Sequence, residues 1–529
     1  MMKKSRTTEY RWAIWVAIGI MALTCVPYAI GYAIAPKGYH FLGFICNMDD
    51  VCVYLSWMRQ AADGHFFLRN LFTTEPQSGV GFNLLFLALG TFARITHLPL
   101  VAVLHLARIA AGIALLLAVY GMSAIWLDDE RSRRIGLLIV GLSAGIGWVF
   151  RTGVTDILRA SVDRWQLEAI TYLSLYASPL YSSPTLLMIG SLYFLLRFSK
   201  TGAWRYAVYA GLILLLLANV HTYDVITISA IWAFYSAYRL VKKDTRPMIG
   251  GLIAAAIAAP SAAYQLHFYK LDSVFRDRAA VPTPSPAIYW YAAGYGLLLP
   301  LAIYGVWRSV KQRRDIGFLI CWIIATFVVA YLPISFQRKL FMGTHIPLSF
   351  LAAIGVMGLM ERIPVKRQTL AVIILVGALI PSNLAFMSRN VVQVLTNEIT
   401  TAAHVPYASK DEIAALEYLR THSRPGDLIL AVPPTACLIP GFAGRPVYCG
   451  HWGETVDFRR KFWEVFAFYS NKESPGQRLD FLREHNFAYV VGYHQHGGIR
   501  MVDFDVHPAP YLKPVFPTRE LTVYKFETK

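Results

Sequence analysis

Two adjacent carboxylates, Asp49 and Asp50, sit near the start of a polar, aromatic stretch that follows the first apolar segment. Next to lipid such a pair is costly unless it lines a polar cavity. A carboxylate there can take the proton of an attacking hydroxyl as a general base. A solvated acidic loop is the plainer alternative, and spacing alone does not choose between them. Tyr54, Trp57, Arg59 and Gln60 follow closely, with Arg69 and Glu75 further on. Acidic residues recur at Asp156, Asp163 and Glu168, between two apolar segments. His221 and Asp224 interrupt the apolar run 206–238, and a spacing of three puts both on one helical face. Ionisable groups inside a span are functional candidates by default, although a short wet loop would look the same. The basic counterpart is Gln337-Arg338-Lys339, followed by Gly343-Thr344-His345. Arginine offers a planar fork and lysine a point charge, a combination suited to phosphate. A cytoplasmic anchor is the alternative. Against it, only two charges are present, and Gln337, Thr344 and His345 surround them.

The elements that must position these groups are mostly apolar. Of the 529 residues 56% are hydrophobic and 16% charged, against about 25% charged in soluble domains. This excludes an ordinary cytosolic enzyme and any disordered or fibrous class. Residues 404–529 hold 15 Lys/Arg and 14 Asp/Glu, so nearly all of the net +18 belongs to the apolar part. Basic loops on a membrane protein produce that bias, and nucleic acid is a poor explanation of it. Residues 12–34, preceded by Lys3, Lys4, Arg6 and Arg11, are long enough for a retained first transmembrane helix with a cytoplasmic start. Further spans are expected near 80–96, 100–126, 134–151, 171–197, 204–220, 222–240, 247–266, 284–306, 315–333, 343–360 and 368–388. About eleven to thirteen are expected in all, with an irregularity between 80 and 126. The fold class predicted is a mainly α polytopic transmembrane bundle over 1–403, with an external loop 36–80. A small soluble α/β domain is expected over 404–529. Its helix is placed at 409–421 with Ser409 as N-cap, and its strands at 428–432, 488–491 and 521–526.

Other chemistry is thinly represented. No P-loop, no GxGxxG after a strand and no HExxH occurs. His494 and His496 beside Gly497 and Gly498 lack a third ligand, and a polar loop is the expected reading. No metal residues and no cofactor are assigned, and the need for a divalent cation is left open. Of six cysteines, Cys46/Cys52 and Cys437/Cys449 share local regions and are the pairs that an oxidising compartment would bridge.

The order of several short motifs resembles the GT-C glycosyltransferase superfamily, and most closely a group of bacterial GT-C-like membrane proteins. These are Asp50-Val51-Cys52-Val53-Tyr54-Leu55 with Asn70-Leu71-Phe72-Thr73-Thr74-Glu75-Pro76, Gly145-Ile146-Gly147-Trp148, and Glu168-Ala169 with Leu173-Ser174. His221-Thr222-Tyr223-Asp224, Phe336-Gln337-Arg338-Lys339 with His345-Ile346-Pro347, and Gly450-His451-Trp452-Gly453-Glu454-Thr455 complete the series. The resemblance implies inverting transfer of a sugar from a polyprenyl-phosphate donor to a lipid, glycan or protein acceptor outside the bacterial cytoplasmic membrane. Asp50, or else Asp49, would be the base, and Arg338, Lys339, Gln337 and His345 would hold the donor phosphate. Glu168, His221, Asp224 and Tyr54 would contact substrate. The alternatives are a flippase or transporter of lipid-linked sugars, and a non-catalytic GT-C-like assembly subunit.

Overall fold

The computed structural model describes residues 2–150, 157–396, 406–470, 473–494 and 509–527, with side chains from residue 8 onward. Asp156, Gln495, His496, Gly497 and Gly498 lie outside the described residues. In chain order the helices begin with α1 (Met2–Ala33), α2 (Met48–Ala62), α3 (Leu84–Thr96), α4 (Leu100–Ser123) and α5 (Glu130–Leu142). Then come α6 (Thr171–Ala177), α7 (Pro179–Thr201), α8 (Trp204–Val220), α9 (Thr222–Val241), α10 (Arg246–Leu271) and α11 (Ser273–Ala280). They continue as α12 (Ile288–Tyr295), α13 (Leu298–Lys311), α14 (Gly317–Ala330), α15 (His345–Met360), α16 (Val365–Gly377) and α17 (Pro381–Thr396). The C-terminal region adds α18 (Lys410–His422), α19 (Pro433–Phe442), α20 (Phe458–Tyr469) and α21 (Pro475–Glu484). The strands are β1 (Tyr39–Phe41), β2 (Tyr407–Ser409), β3 (Leu428–Leu430), β4 (Phe487–Tyr493), β5 (Leu512–Pro517) and β6 (Leu521–Phe526).

Contacts divide the chain into two units. The first comprises Met1–Pro27, Leu104–His267 and Pro282–Arg389. Among the described residues, six helical stretches are long and apolar enough to cross a bilayer, and the bent pair α16–α17 makes a seventh. Three more apolar helices are only 10–17 residues long: α3, α8 and α14. The expected spans 171–197, 284–306 and 368–388 are each broken in two. Ser178 caps α7 with Pro179 in its first turn, Gly296 leaves α12 at φ 45, and Pro381 starts α17 after a 47° bend. Each break falls at a residue that readily starts or ends a helix, although Pro27, Pro184 and Pro260 lie within continuous ones. Backbones approach most closely where α13 meets α15, because a Cβ on Gly305 or Gly355 would collide with the other helix.

The second unit comprises Tyr28–Val103, Phe268–Val281 and Asn390–Lys529. The C-terminal residues therefore pack with the first loop rather than alone. β1 pairs antiparallel with β2, setting Tyr39 opposite Ser409 and Phe41 opposite Tyr407. The expected span at 80–96 is the 13-residue α3, short of the roughly 20 residues a crossing needs, and it packs on α2. Ser409 caps α18 as expected, its hydroxyl accepting from the Glu412 amide at 3.1 Å, while the Glu412 carboxylate turns to Thr435 at 2.5 Å. The main sheet has the order β3-β4-β6-β5. β5 is the strand of this sheet missing from the sequence reading, which also did not place β1 and β2. It carries Pro514 and Pro517, which an edge strand tolerates. All six cysteines are free thiols, and Cys437 of α19 meets Cys52 of α2 rather than Cys449.

Candidate active site

In the second unit, α2 starts where Asn47 takes the left-handed conformation (φ 55, ψ 46), a region asparagine tolerates better than most residues. This aims the Asn47 side-chain amide at Asp50, donating to Oδ2 at 2.6 Å. The other carboxylate oxygen of Asp50 lies 3.4 Å from His451 Nε2, and Asp49 Oδ2 lies 3.7 Å from the same nitrogen. Asp49 also accepts from the indole N–H of Trp452 at 2.7 Å. Consecutive residues of one turn thus hold the two aspartates. The Asp50 side chain stays 39% exposed and that of Asp49 17%.

His451 is buried, and its tautomer follows from its neighbours. Nδ1 accepts the backbone N–H groups of Gly453 (2.9 Å) and Glu454 (3.1 Å), so the ring hydrogen sits on Nε2 and faces the aspartates. Burial opposes protonation, yet the Asp50 carboxylate 3.4 Å away and the charges of Asp49 and Glu454 raise the imidazole pKa. A proton on Nδ1 would face two N–H donors, so the neutral Nε2–H form fits the turn best. His451 therefore offers the aspartates a hydrogen and no lone pair. Among the described residues, no group of three or more His, Cys, Asp or Glu is disposed to hold a metal ion.

The turn is fixed from below by the first loop. Asn70 donates to the Glu454 backbone oxygen at 2.8 Å, and the Thr455 hydroxyl donates to the Phe72 carbonyl at 2.7 Å. The Glu454 carboxylate pairs with Arg278, whose guanidinium lies over the Trp57 ring. Lys461 is buried and reaches Glu75 at 2.5 Å. Tyr54 is buried too, stacked on Phe86 with ring centroids 5.2 Å apart.

The other expected residues belong to the first unit. Residues 337–341 form a 3-10 turn after α14. The Arg338 backbone donates to Thr283 O at 3.1 Å, and its carbonyl accepts from Gln166 Nε2 at 3.2 Å. Its guanidinium lies 5.1 Å over Trp165, and Nε is buried with no hydrogen-bond partner among the described residues. The Lys339 ammonium lies 4.7 Å from the Tyr223 ring centre. Gln337 is occupied with structure, accepting from Ser285 N at 3.1 Å and donating to Leu332 O at 2.7 Å. His345 is buried, with its two ring nitrogens each 3.0 Å from a hydroxyl, those of Ser143 and Thr171. His221 and Asp224 meet at 3.1 Å where α8 gives way to α9, and the Asp224 side chain is fully buried. Glu168 is half-buried just before α6. Asp163 is buried and accepts from Gly147 N at 3.0 Å and from the Ser161 hydroxyl, which ties it to the Gly147 backbone.

Sequence reasoning brought His221 to Asp224 and Arg338 to Lys339 because those contacts are local. It missed His451, Trp452, Glu454 and Arg278 as functional neighbours. Their one signal was the motif containing the first three, whose partners lie about 400 positions away.

No family model matches the chain, and no curated protein matches it. Solved structures do. ArnT from Cupriavidus metallidurans bound to undecaprenyl phosphate aligns at a TM-score of 0.54 and 13% identity, over 97% of this chain and 98% of that one. The oligosaccharyltransferase AglB from Archaeoglobus fulgidus, in complex with an inhibitory peptide and a dolichol-phosphate, gives 0.51 and 12%, over 90% and 69%. Arabinofuranosyltransferase AftD from Mycobacteria gives 0.52 and 15%, over 98% of this chain but 40% of that one. All three are GT-C membrane glycosyltransferases, and the chain has the GT-C fold.

Proposed function

We propose that the protein is a multi-pass membrane glycosyltransferase that moves a sugar from a polyprenyl-phosphate donor to an acceptor outside the cytoplasm. Its location would be the bacterial cytoplasmic membrane. The observation that carries the reading is the Asp50 carboxylate, oriented by Asn47 and His451 and still reachable from solvent. Asp50 takes the proton of the acceptor nucleophile as that atom bonds to the sugar C1. The bond from C1 to the phosphate oxygen breaks on the opposite face, so the configuration inverts and the electron pair leaves with polyprenyl phosphate. Arg338 and Lys339 stabilise the charge gathering on that phosphate. Gln337 and His345, engaged as they are, position the cationic turn. His221, Asp224 and Glu168 contact the donor, and Tyr54 supports the helix that carries Asp50.

Topology within the first unit supports this role for Arg338. Tyr223, in the first turn of α9, meets Phe336 and Lys339. Arg239, near the other end of α9, pairs with Asp244 at 2.5 Å and Asp315 at 3.3 Å. At 1.5 Å per residue these ends stand roughly 25 Å apart, close to the thickness of a bilayer core. Other basic connections gather at the Arg239 end, where Arg314 pairs with Asp128 at 3.2 Å and Arg131 bonds Gln368. The positive-inside rule supports a cytoplasmic placement of that end and an external one for Arg338, against the anchor reading. The β1–β2 pairing supports a shared, external side for loop 36–80 and residues 404–529. Incubating the purified protein with radiolabelled polyprenyl-phosphate sugars, followed by product analysis, tests the proposal.

A further inference from the structure

The basic end of the first unit encloses a cavity of about 780 Å³, well inside the range of ligand pockets. Helix ends from α1, α4, α5, α7, α9 and α14 wall it. Its three carboxylates are already matched to arginines. Glu9 holds Arg133 and the Tyr120 hydroxyl, each at 2.6 Å, Asp315 holds Arg239, and Asp128 holds Arg314. Two lining cations are left over at the end of α7. Arg197 meets the ring and hydroxyl of Tyr206 with Tyr193 nearby, and neither it nor Lys200 has an ion pair among the described residues. The remaining wall is rich in Tyr10, Trp126, Tyr193 and Tyr235, the residue types that sit at headgroup depth in a bilayer.

We infer that this cavity binds the phosphate of an anionic membrane-lipid headgroup, with Arg197 and Lys200 as its charge partners and the aromatic wall against the glycerol and upper chain region. The site does not depend on the transfer reaction. It lies at the other end of α9 from Arg338 and Lys339, so it is a second phosphate site rather than an extension of the first. Basic pockets between transmembrane helices on the cytoplasmic side recognise anionic headgroups by this chemistry.

The test is lipid retention by the full-length protein in nanodiscs, with phosphatidylglycerol doped into phosphatidylcholine and bound lipid counted by native mass spectrometry. Wild type should hold phosphatidylglycerol preferentially, and high salt should weaken it. The double variant Arg197→Gln/Lys200→Gln should bind about 30-fold more weakly, at the general value of about fivefold per cation. Arg205→Gln, which alters a cation beside Tyr206 outside the cavity, should change nothing. Thermal melting identifies a double variant that has simply unfolded, in which case Lys200→Gln alone should still show a loss of several-fold. A parallel arm with inorganic phosphate separates the sources. Phosphate binding without lipid preference would overturn the headgroup assignment, and equal retention by wild type and double variant would overturn the site.

Discussion

His451 is the residue whose replacement separates its two duties most cleanly. In His451→Asn the side-chain oxygen reaches about as far as Nδ1 and can still accept from the Gly453 and Glu454 amides. The donor facing Asp50 is gone. The 3.4 Å contact is not aligned as a hydrogen bond, so it is worth less than the roughly 1.5–3 kcal/mol of an aligned bond to a charged group. Losing this charge–dipole contact should therefore cost about fivefold in kcat, with little change in donor KM and near-normal melting. His451→Gln does the reverse. Its side-chain amide extends toward Nε2 and restores part of the rate, but the two backbone amides lose their acceptor. Each buried amide left unmade costs about 1–3 kcal/mol, so this variant should melt clearly lower. The assays are steady-state kinetics with donor and acceptor varied in turn, and thermal unfolding in detergent. Wild-type turnover in a folded His451→Asn protein would refute the argument that His451 positions the base.

Other consequences follow from the same geometry. Arg338→Lys should weaken donor use by losing the planar fork, and Arg338→Ala should lower kcat/KM for the donor about 10- to 150-fold while leaving acceptor affinity alone. A normal Arg338→Ala donor dependence would return the pair to a structural role. Burial works to raise the Glu75 pKa, but its hydrogen bonds to Lys461 and Thr73 and the Lys461 charge lower it overall. A depressed folded pKa adds stability above the unfolded value near 4.5, and that stability is lost as pH falls through the folded value. Glu75→Gln should therefore flatten the decline in melting temperature below about pH 5, and an unchanged decline would contradict this account. Cysteines introduced one at a time as Lys37→Cys and Lys513→Cys should both react with an impermeant maleimide in intact cells, and reaction of either only after permeabilisation would reverse the proposed topology.

The sequence disclosed most where contacts are local or periodic. The apolar runs located the bundle, Ser409 announced its helix, and the Arg338-Lys339 turn stood out because few charges surround it. Where the reading went astray, one residue decided the outcome. Ser178-Pro179, Gly296 and Pro381 cut hydrophobic runs that hydropathy alone reads as continuous. α3 is as apolar as a span but too short to be one, which hydropathy averaged over flanking residues conceals. β5 was hidden by its prolines, which edge pairing with β6 tolerates. The surroundings of Asp50 were least legible, because His451 and Trp452 reach it only after the C-terminal residues fold against the first loop.

The most direct measurement is transfer itself. Purified protein, a panel of radiolabelled polyprenyl-phosphate sugars and extracts supplying lipid, glycan and protein acceptors should yield labelled product from at least one donor, with inverted configuration at C1. Asp50→Asn, folded to the same melting temperature, should lower that rate by about 10²–10⁴-fold, the usual cost of a lost general base, and Asp49→Asn should lower it less. Product formed at the wild-type rate by folded Asp50→Asn would contradict the account at its centre.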